Sequence, residues 1–215
     1  MLAVADEILC RPVELILVRH AEPVRVVDSD GPADPPLSHR GEHQAALLGD
    51  YIAGQGLTAI YSSPMRRALA TAAAVSRRAG RQVTVNEGLA EFDRLATSYV
   101  TLEEMRETRD ERFLAMLRDD FSHYGVDMEQ FRRNVVATVE AIISSHPGER
   151  VAAVCHGGVI NAYIGHILDI SKNSFFVPDY TSVNRVAANR SGRRSLLRLN
   201  EVTHLHGHDL LVSTV

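Results

Sequence analysis

The chain has no tryptophan, two cysteines and few other aromatic residues, so that Phe, Trp and Tyr together make up 6% of its 215 positions. The cysteines, Cys10 and Cys155, lie far apart, and Cys155 closes an apolar run that reads as a buried strand. A disulfide framework is therefore not expected, and a reducing cytoplasm is the expected setting. No apolar stretch approaches the ~18 residues of a transmembrane helix. The N-terminal segment carries Asp6 and Glu7 within its only apolar stretch and no basic residues ahead of it, so it is not expected to act as a secretory signal. Basic charge is not in excess either: the net charge is −4 and the isoelectric point is near 6.2. Neither nucleic acid nor an anionic membrane is then an expected partner, whereas a small anionic substrate is, because a few arginines in a cleft set the local field.

What is present is a hydrophobic content of 45%, enough to bury the core of one domain spanning residues 1–215. Two apolar runs stand out. Leu15-Ile16-Leu17-Val18 ends in Arg19-His20, and Val151-Ala152-Ala153-Val154-Cys155 ends in His156-Gly157-Gly158. Short continuous apolar runs read as strands buried on both faces of a parallel sheet, and open α/β sheets bind ligands beyond the carboxyl ends of such strands. Both histidines are thereby expected at one rim.

Between these runs, strands are predicted at 58–62 and 82–85. Helices are predicted from Ser38, a fitting N-cap, to Gly54, and from Pro64 to Ala79. One charged helix is expected over about 102–120 and a longer one over 127–145. Turn-rich residues 28–36 predict a surface loop near the rim. Two β segments flanking Ser191-Gly192 predict a C-terminal hairpin. The expected fold is a three-layer α/β/α sandwich with a mostly parallel central sheet, an antiparallel edge strand and that hairpin.

Arg19, His20 and His156 suit a phosphate site. Guanidinium binds phosphate oxygens bidentately, imidazolium adds a charge-assisted donor, and a neutral imidazole can attack phosphorus and split hydrolysis into two displacements. The leaving alkoxide then needs a proton, which Glu91 or Asp93 can supply from the segment after the 82–85 strand.

Five motifs now stand in order: Leu17-Val18-Arg19-His20-Ala21-Glu22; Leu37-Ser38 with Gly41 and Gln44-Ala45; Tyr61-Ser62-Ser63-Pro64-Met65-Arg66-Arg67-Ala68 with Thr71-Ala72; Leu89 with Glu91; and His156-Gly157-Gly158. Together they resemble the histidine phosphatase superfamily in its phosphoglycerate-mutase-like branch, over about residues 14–205. The resemblance implies that His20 is phosphorylated and that Arg19, Arg67, His156 and Gly157 bind the phosphoryl group. It also implies that Glu91 is the proton donor, that no metal or other cofactor is required, and that helices over 93–126 cover the site and choose the substrate. The family pattern is departed from in three places. Ala21 replaces a glycine, Val26 stands where mutases usually carry asparagine, and Phe92-Asp93-Arg94-Leu95 lacks the usual glycine and tryptophan-glutamate pattern.

The expected activity is thus a metal-independent phosphomonoester hydrolase acting on a small phosphorylated substrate. The alternatives are a phosphoglycerate mutase and a catalytically weak family member that binds phosphorylated ligands or a protein. A homodimer is the general expectation for a soluble enzyme.

The plainer readings concern the neighbours of these residues. Arg66 reads as a solvated arginine beside the buried-site candidate Arg67, and Cys155 reads as core because position 161, where a cysteine phosphatase would carry arginine, is Asn161. His204, His206 and His208 alternate as strand residues would, which is a possible but uncommon metal pattern. Residues 103–112 read as an exposed face laced with ion pairs, with Phe113, Met116, Leu117 and Phe121 as its apolar stripe.

Overall fold

Leu15, Ile16, Leu17 and Val18 are all fully buried because both faces of their strand are covered. A computed structural model describes residues 11–210; the expectations for the N-terminal segment and for Cys10 fall on residues outside that range. The strand is β1 (Val13–Arg19). It is followed by α1 (His39–Ala53), β2 (Ala59–Ser62), α2 (Arg66–Ala79) and β3 (Val83–Val85). Then come two short helices, α3 (Leu102–Glu107) and α4 (Glu111–Leu117), and α5 (Met128–Ser145), β4 (Arg150–Cys155) and α6 (Gly157–Leu168). The chain closes with β5 (Val183–Ala188) and β6 (Arg194–Glu201).

The six strands form one sheet in the order β3-β2-β4-β1-β5-β6. Pairing is parallel from β3 to β1 and antiparallel from β1 through β5 to β6, so the predicted hairpin and the antiparallel edge are the same two strands. Alternation along β1 and β4 builds two cores. Leu15, Leu17, Ala153 and Cys155 pack with Val139 of α5 and Ile160 and Ile164 of α6. Ile16, Val18, Ala152 and Val154 pack with Leu48 and Ile52 of α1 and Ala68 and Val75 of α2. A continuous apolar run is what a strand with cores on both faces requires.

Register sets the rim. Arg19 lies opposite Cys155, and the His20 amide donates to the Cys155 carbonyl at 2.9 Å, so His20 and His156 leave adjacent strands at the same level. Ser38 caps α1, accepting from the Gly41 amide at 3.0 Å, as expected. Gly41 itself lies against the first rim segment. A Cβ there would sit 2.0 Å from the Glu22 carbonyl oxygen, so only glycine fits.

Two predicted elements differ from those observed. The helix expected from Pro64 begins at Arg66 with Met65 as an N-cap that offers no side-chain oxygen. The single helix expected over 102–120 is two, broken where Arg109 takes a left-handed φ of 54° and Asp110 caps α4 by accepting from the Arg112 amide. Leu117, assigned to the apolar stripe, is 63% exposed, whereas Phe121 of the same stripe is buried. Of the charged residues in this stretch, Arg112 pairs back with Asp110, and Glu104 reaches Arg25. Among the described residues, no helix is long and apolar enough to cross a membrane.

Candidate active site

His20 is buried just beyond β1, and its Nδ1 lies 2.7 Å from the Ala21 carbonyl oxygen. A carbonyl only accepts, so Nδ1 carries the proton and Nε2 presents a lone pair. Ala21 is held in turn by its amide, which donates to Thr71 Oγ1 at 2.9 Å. The methyl group that Ala21 adds to the family's glycine is fully buried among Ala45 and Ala74 and leaves this backbone path intact. Burial, with Arg67 and Arg19 nearby, holds the His20 pKa well below the usual imidazole range.

Two guanidinium groups flank the ring. Arg67, 1% exposed at the start of α2, donates through Nε to His20 Nε2 at 3.3 Å and through Nη2 to Asp93 Oδ1 at 3.3 Å. Its neighbour Arg66 is exposed, as expected. Arg19 donates through Nη1 to the Pro178 carbonyl at 2.5 Å and lies 3.9 Å above the Tyr180 ring. Parallel β1 and β4 and the α2 N-terminus thus bring Arg19, His20, Arg67 and His156 together.

The ring centroid of His156 is 5.0 Å from that of His20. Its Nε2 is hydrogen-bonded to Ser63 Oγ at 2.7 Å, and its buried Nδ1 has no hydrogen-bond partner among the described residues. Burial, followed by Arg67, His20 and Arg19, pushes its pKa well down and favours the neutral imidazole.

Glu91 follows β3 and is buried, with Oε2 accepting from the Gly158 amide at 2.7 Å and Oε1 from the Phe92 amide at 3.0 Å. Burial, then Asp93, raises its pKa to about 7. Gly158 permits the approach, since a Cβ there would lie 2.3 Å from Glu91 Oε1. Gly157 is not crowded in this way, but it opens α6 beside the site, where helix amides point outward without intrahelical partners. Asp93 is raised by burial and opposed by its ion pair with Arg67.

Several members of the site carry no local sequence signal. Asp34, on the 28–36 loop, accepts from the Arg66 amide at 2.9 Å, supplying the cap that Met65 cannot, and lies 3.9 Å from Arg67 Nη1. Tyr99 stacks under Arg67 with 4.7 Å from Cζ to the ring centroid, and its backbone pairs with Val26. Tyr180 does the same for Arg19, followed by Thr181, a buried β-branched residue held at a φ of 58°. The signal that could have found Asp34 is weak: it is one of three aspartates in a proline-rich loop.

The three late histidines do not share a strand face. Residues 203–205 form a 3₁₀ turn; His204 is hydrogen-bonded to Thr181 Oγ1 at 2.9 Å and stacks on Tyr51, while exposed His208 meets the ring of His43. Cys155 is core, its thiol pushed up by burial. Asn161 proves structural: Nδ2 donates to the Gly157 and Phe176 carbonyls and Oδ1 accepts from the Phe175 amide, tying the 173–178 loop to α6.

The sequence profile of the histidine phosphatase superfamily (branch 1) matches residues 15–202, and the chain belongs to that superfamily. It is 28% identical over 199 residues to phosphoserine phosphatase 1 of Hydrogenobacter thermophilus, covering 90% of this chain and 94% of that one. It is 25% identical over 162 residues to a probable phosphoglycerate mutase of Salmonella arizonae, covering 73% and 75%. Among solved structures, a phosphoserine phosphatase mutant from Entamoeba histolytica in complex with phosphoserine matches with a TM-score of 0.70 at 24% identity, over 90% of this chain and 99% of that one. At that identity the likeness is one of fold.

Proposed function

We propose that the protein hydrolyses phosphomonoesters through a phosphohistidine on His20, with Glu91 as the proton donor and no metal ion. The observation that carries this is the 2.7 Å contact of His20 Nδ1 with the Ala21 carbonyl oxygen, which fixes the ring proton on Nδ1 and leaves the Nε2 lone pair facing Arg67. In the first displacement, Nε2 attacks phosphorus and the ester P–O bond breaks, while the protonated Glu91 carboxyl gives its proton to the leaving alkoxide. In the second, water attacks phosphorus, the N–P bond breaks, and the Glu91 carboxylate takes the water proton. The products are alcohol and phosphate.

Arg19 and Arg67 hold the equatorial oxygens, with His156 Nδ1 and the Gly157 amide as further donors. Their positive charge takes the part that magnesium plays in other phosphoryl-transfer enzymes. Asp93, already paired with Arg67, orients that guanidinium, and Glu91, raised to about 7, is matched to give and take a proton near neutral pH. A relative that is a phosphoserine phosphatase supports hydrolysis as the fate of the phosphoenzyme; a probable phosphoglycerate mutase relative marks the other fate, return of the group to a bound acceptor.

The test is intact mass spectrometry of wild type and His20→Ala after acid-free quenching with a panel of phosphate esters, read beside phosphate release in EDTA. A phosphoryl adduct confined to wild type, with phosphate released, is expected. Undiminished turnover in His20→Ala would overturn the mechanism, and interconversion of phosphoglycerates without net release would assign a mutase.

A further inference from the structure

The cleft around His20 encloses about 80 Å³, well below the roughly 300–1,000 Å³ of pockets that hold drug-sized ligands. Its lining divides sharply by chemistry. Arg19 and Arg67 are its cations and Glu91 and Asp93 its anions, and all four belong to the reaction centre described above. Beyond them the lining is mostly apolar, with Leu102, Met105, Met116 and Phe121 from the covering segment and Phe176 and Val177 from the loop tied to α6, and its remaining polar side chains are uncharged: the hydroxyls of Tyr99, Tyr124 and Ser174 and two amides. The amide side chains are already engaged. Asn161 is bonded to the 173–178 loop, and Asn173 donates through Nδ2 to Asp119 at 3.2 Å and through its amide at 2.9 Å. No cation of this lining is therefore left for a negatively charged group on the alcohol side of the ester.

Resting on the hydrolase activity proposed above, we propose that the substrates are phosphomonoesters of uncharged, apolar alcohols, with an aromatic or branched alkyl body, rather than carboxylate-bearing esters. A substrate carboxylate entering this cleft loses its water, finds both guanidinium groups committed to the phosphoryl oxygens, and approaches Glu91 and Asp93. An apolar body instead exchanges water for the side chains of Met105, Met116 and Phe121. It replaces contacts these groups now make among themselves, such as the packing of Phe92 on Phe121 at 5.3 Å between ring centroids.

Affinity is measured by calorimetry on His20→Ala, which cannot turn the ligand over, with 2-phenylethyl phosphate, 3-phosphoglycerate and O-phosphoserine, all esters of alkyl alcohols. The expected result is about tenfold tighter binding of 2-phenylethyl phosphate than of either carboxylate, and a ratio reduced roughly threefold or more by Met116→Lys on the same background. Equal or tighter binding of 3-phosphoglycerate or O-phosphoserine overturns the proposal. Phosphate release by wild type from the same esters is recorded separately. Absence of release and of a phosphohistidine on all of them removes the hydrolase activity, whereas the binding ratio judges the substrate class by itself.

Discussion

Arg67 donates through Nε to Nε2 of His20 at 3.3 Å, so the guanidinium proposed to hold the phosphoryl group rests on the nitrogen proposed to attack it. A cation there disfavours imidazolium, and with burial it keeps His20 in its neutral, nucleophilic form without a partner base. In the proposed reaction the same donors turn from nitrogen to oxygen when a phosphoryl group enters.

Replacing Arg67 by lysine keeps a charge but loses the fork that reaches His20 and Asp93 together. The expected loss in kcat/KM is about 10²-fold, with a smaller change in thermal midpoint. Phosphate release beside a melting curve checks this; activity within twofold or so of wild type would remove Arg67 from the phosphoryl site.

Glu91→Gln should slow alkyl phosphates by about 10²–10⁴-fold and aryl phosphates much less, because only poor leaving groups need full protonation. Equal losses would assign Glu91 to binding. The pH profile follows from the same group: the acid form prevails below its raised value of about 7, so wild-type kcat/KM on alkyl esters should fall above that pH. His20, held well below its ordinary value of 6.5, contributes no acid limb there. Taking the ratio of wild type to Glu91→Gln cancels the ionisation of the ester.

The raised Glu91 carboxyl also couples to folding. Between its ordinary value of 4.5 and about 7 the folded chain binds a proton that the unfolded chain has released. Stability is therefore lost as pH rises through that window. Urea midpoints of wild type should fall relative to those of Glu91→Gln over the same range, and parallel curves would show that the carboxyl is not desolvated.

Asp34→Ala removes the cap that the loop lends to α2 and should cost about 1 kcal/mol while raising KM, since the first turn of α2 carries Arg67. Asn keeps an acceptor for the Arg66 amide, so Asp34→Asn should restore the urea midpoint. An unchanged midpoint in Asp34→Ala would show that the loop is not docked on the helix in solution.

Gly158→Ala places a methyl group where Glu91 Oε1 and the Phe92 ring now lie, at 2.3 Å and 2.7 Å. Expected are a destabilisation of about 1–3 kcal/mol and a loss on alkyl esters that resembles Glu91→Gln. The corresponding change at Gly157, which meets only Pro178 Cδ at 3.9 Å, should leave stability nearly unchanged. Equal effects at the two glycines would contradict the crowding argument.

The strands, the three layers, the hairpin and the rim where Arg19, His20 and His156 meet were legible in the chain before folding was considered. These depend on patterns that are local in the chain: apolar runs of strand length, an N-cap serine, and histidines placed at the ends of strands. The ordered motifs likewise singled out Arg67 over Arg66, and the burial of one and exposure of the other agree.

Quantities that act through space emerge on folding alone. Asp34 reaches α2 across 32 residues, Tyr99 and Tyr180 slide under arginines from separate segments, and the late histidines disperse because a turn replaces the strand that their spacing suggests. The neutrality of His156 and the raised carboxyl of Glu91 follow from desolvation and from neighbouring charges, which no linear spacing encodes.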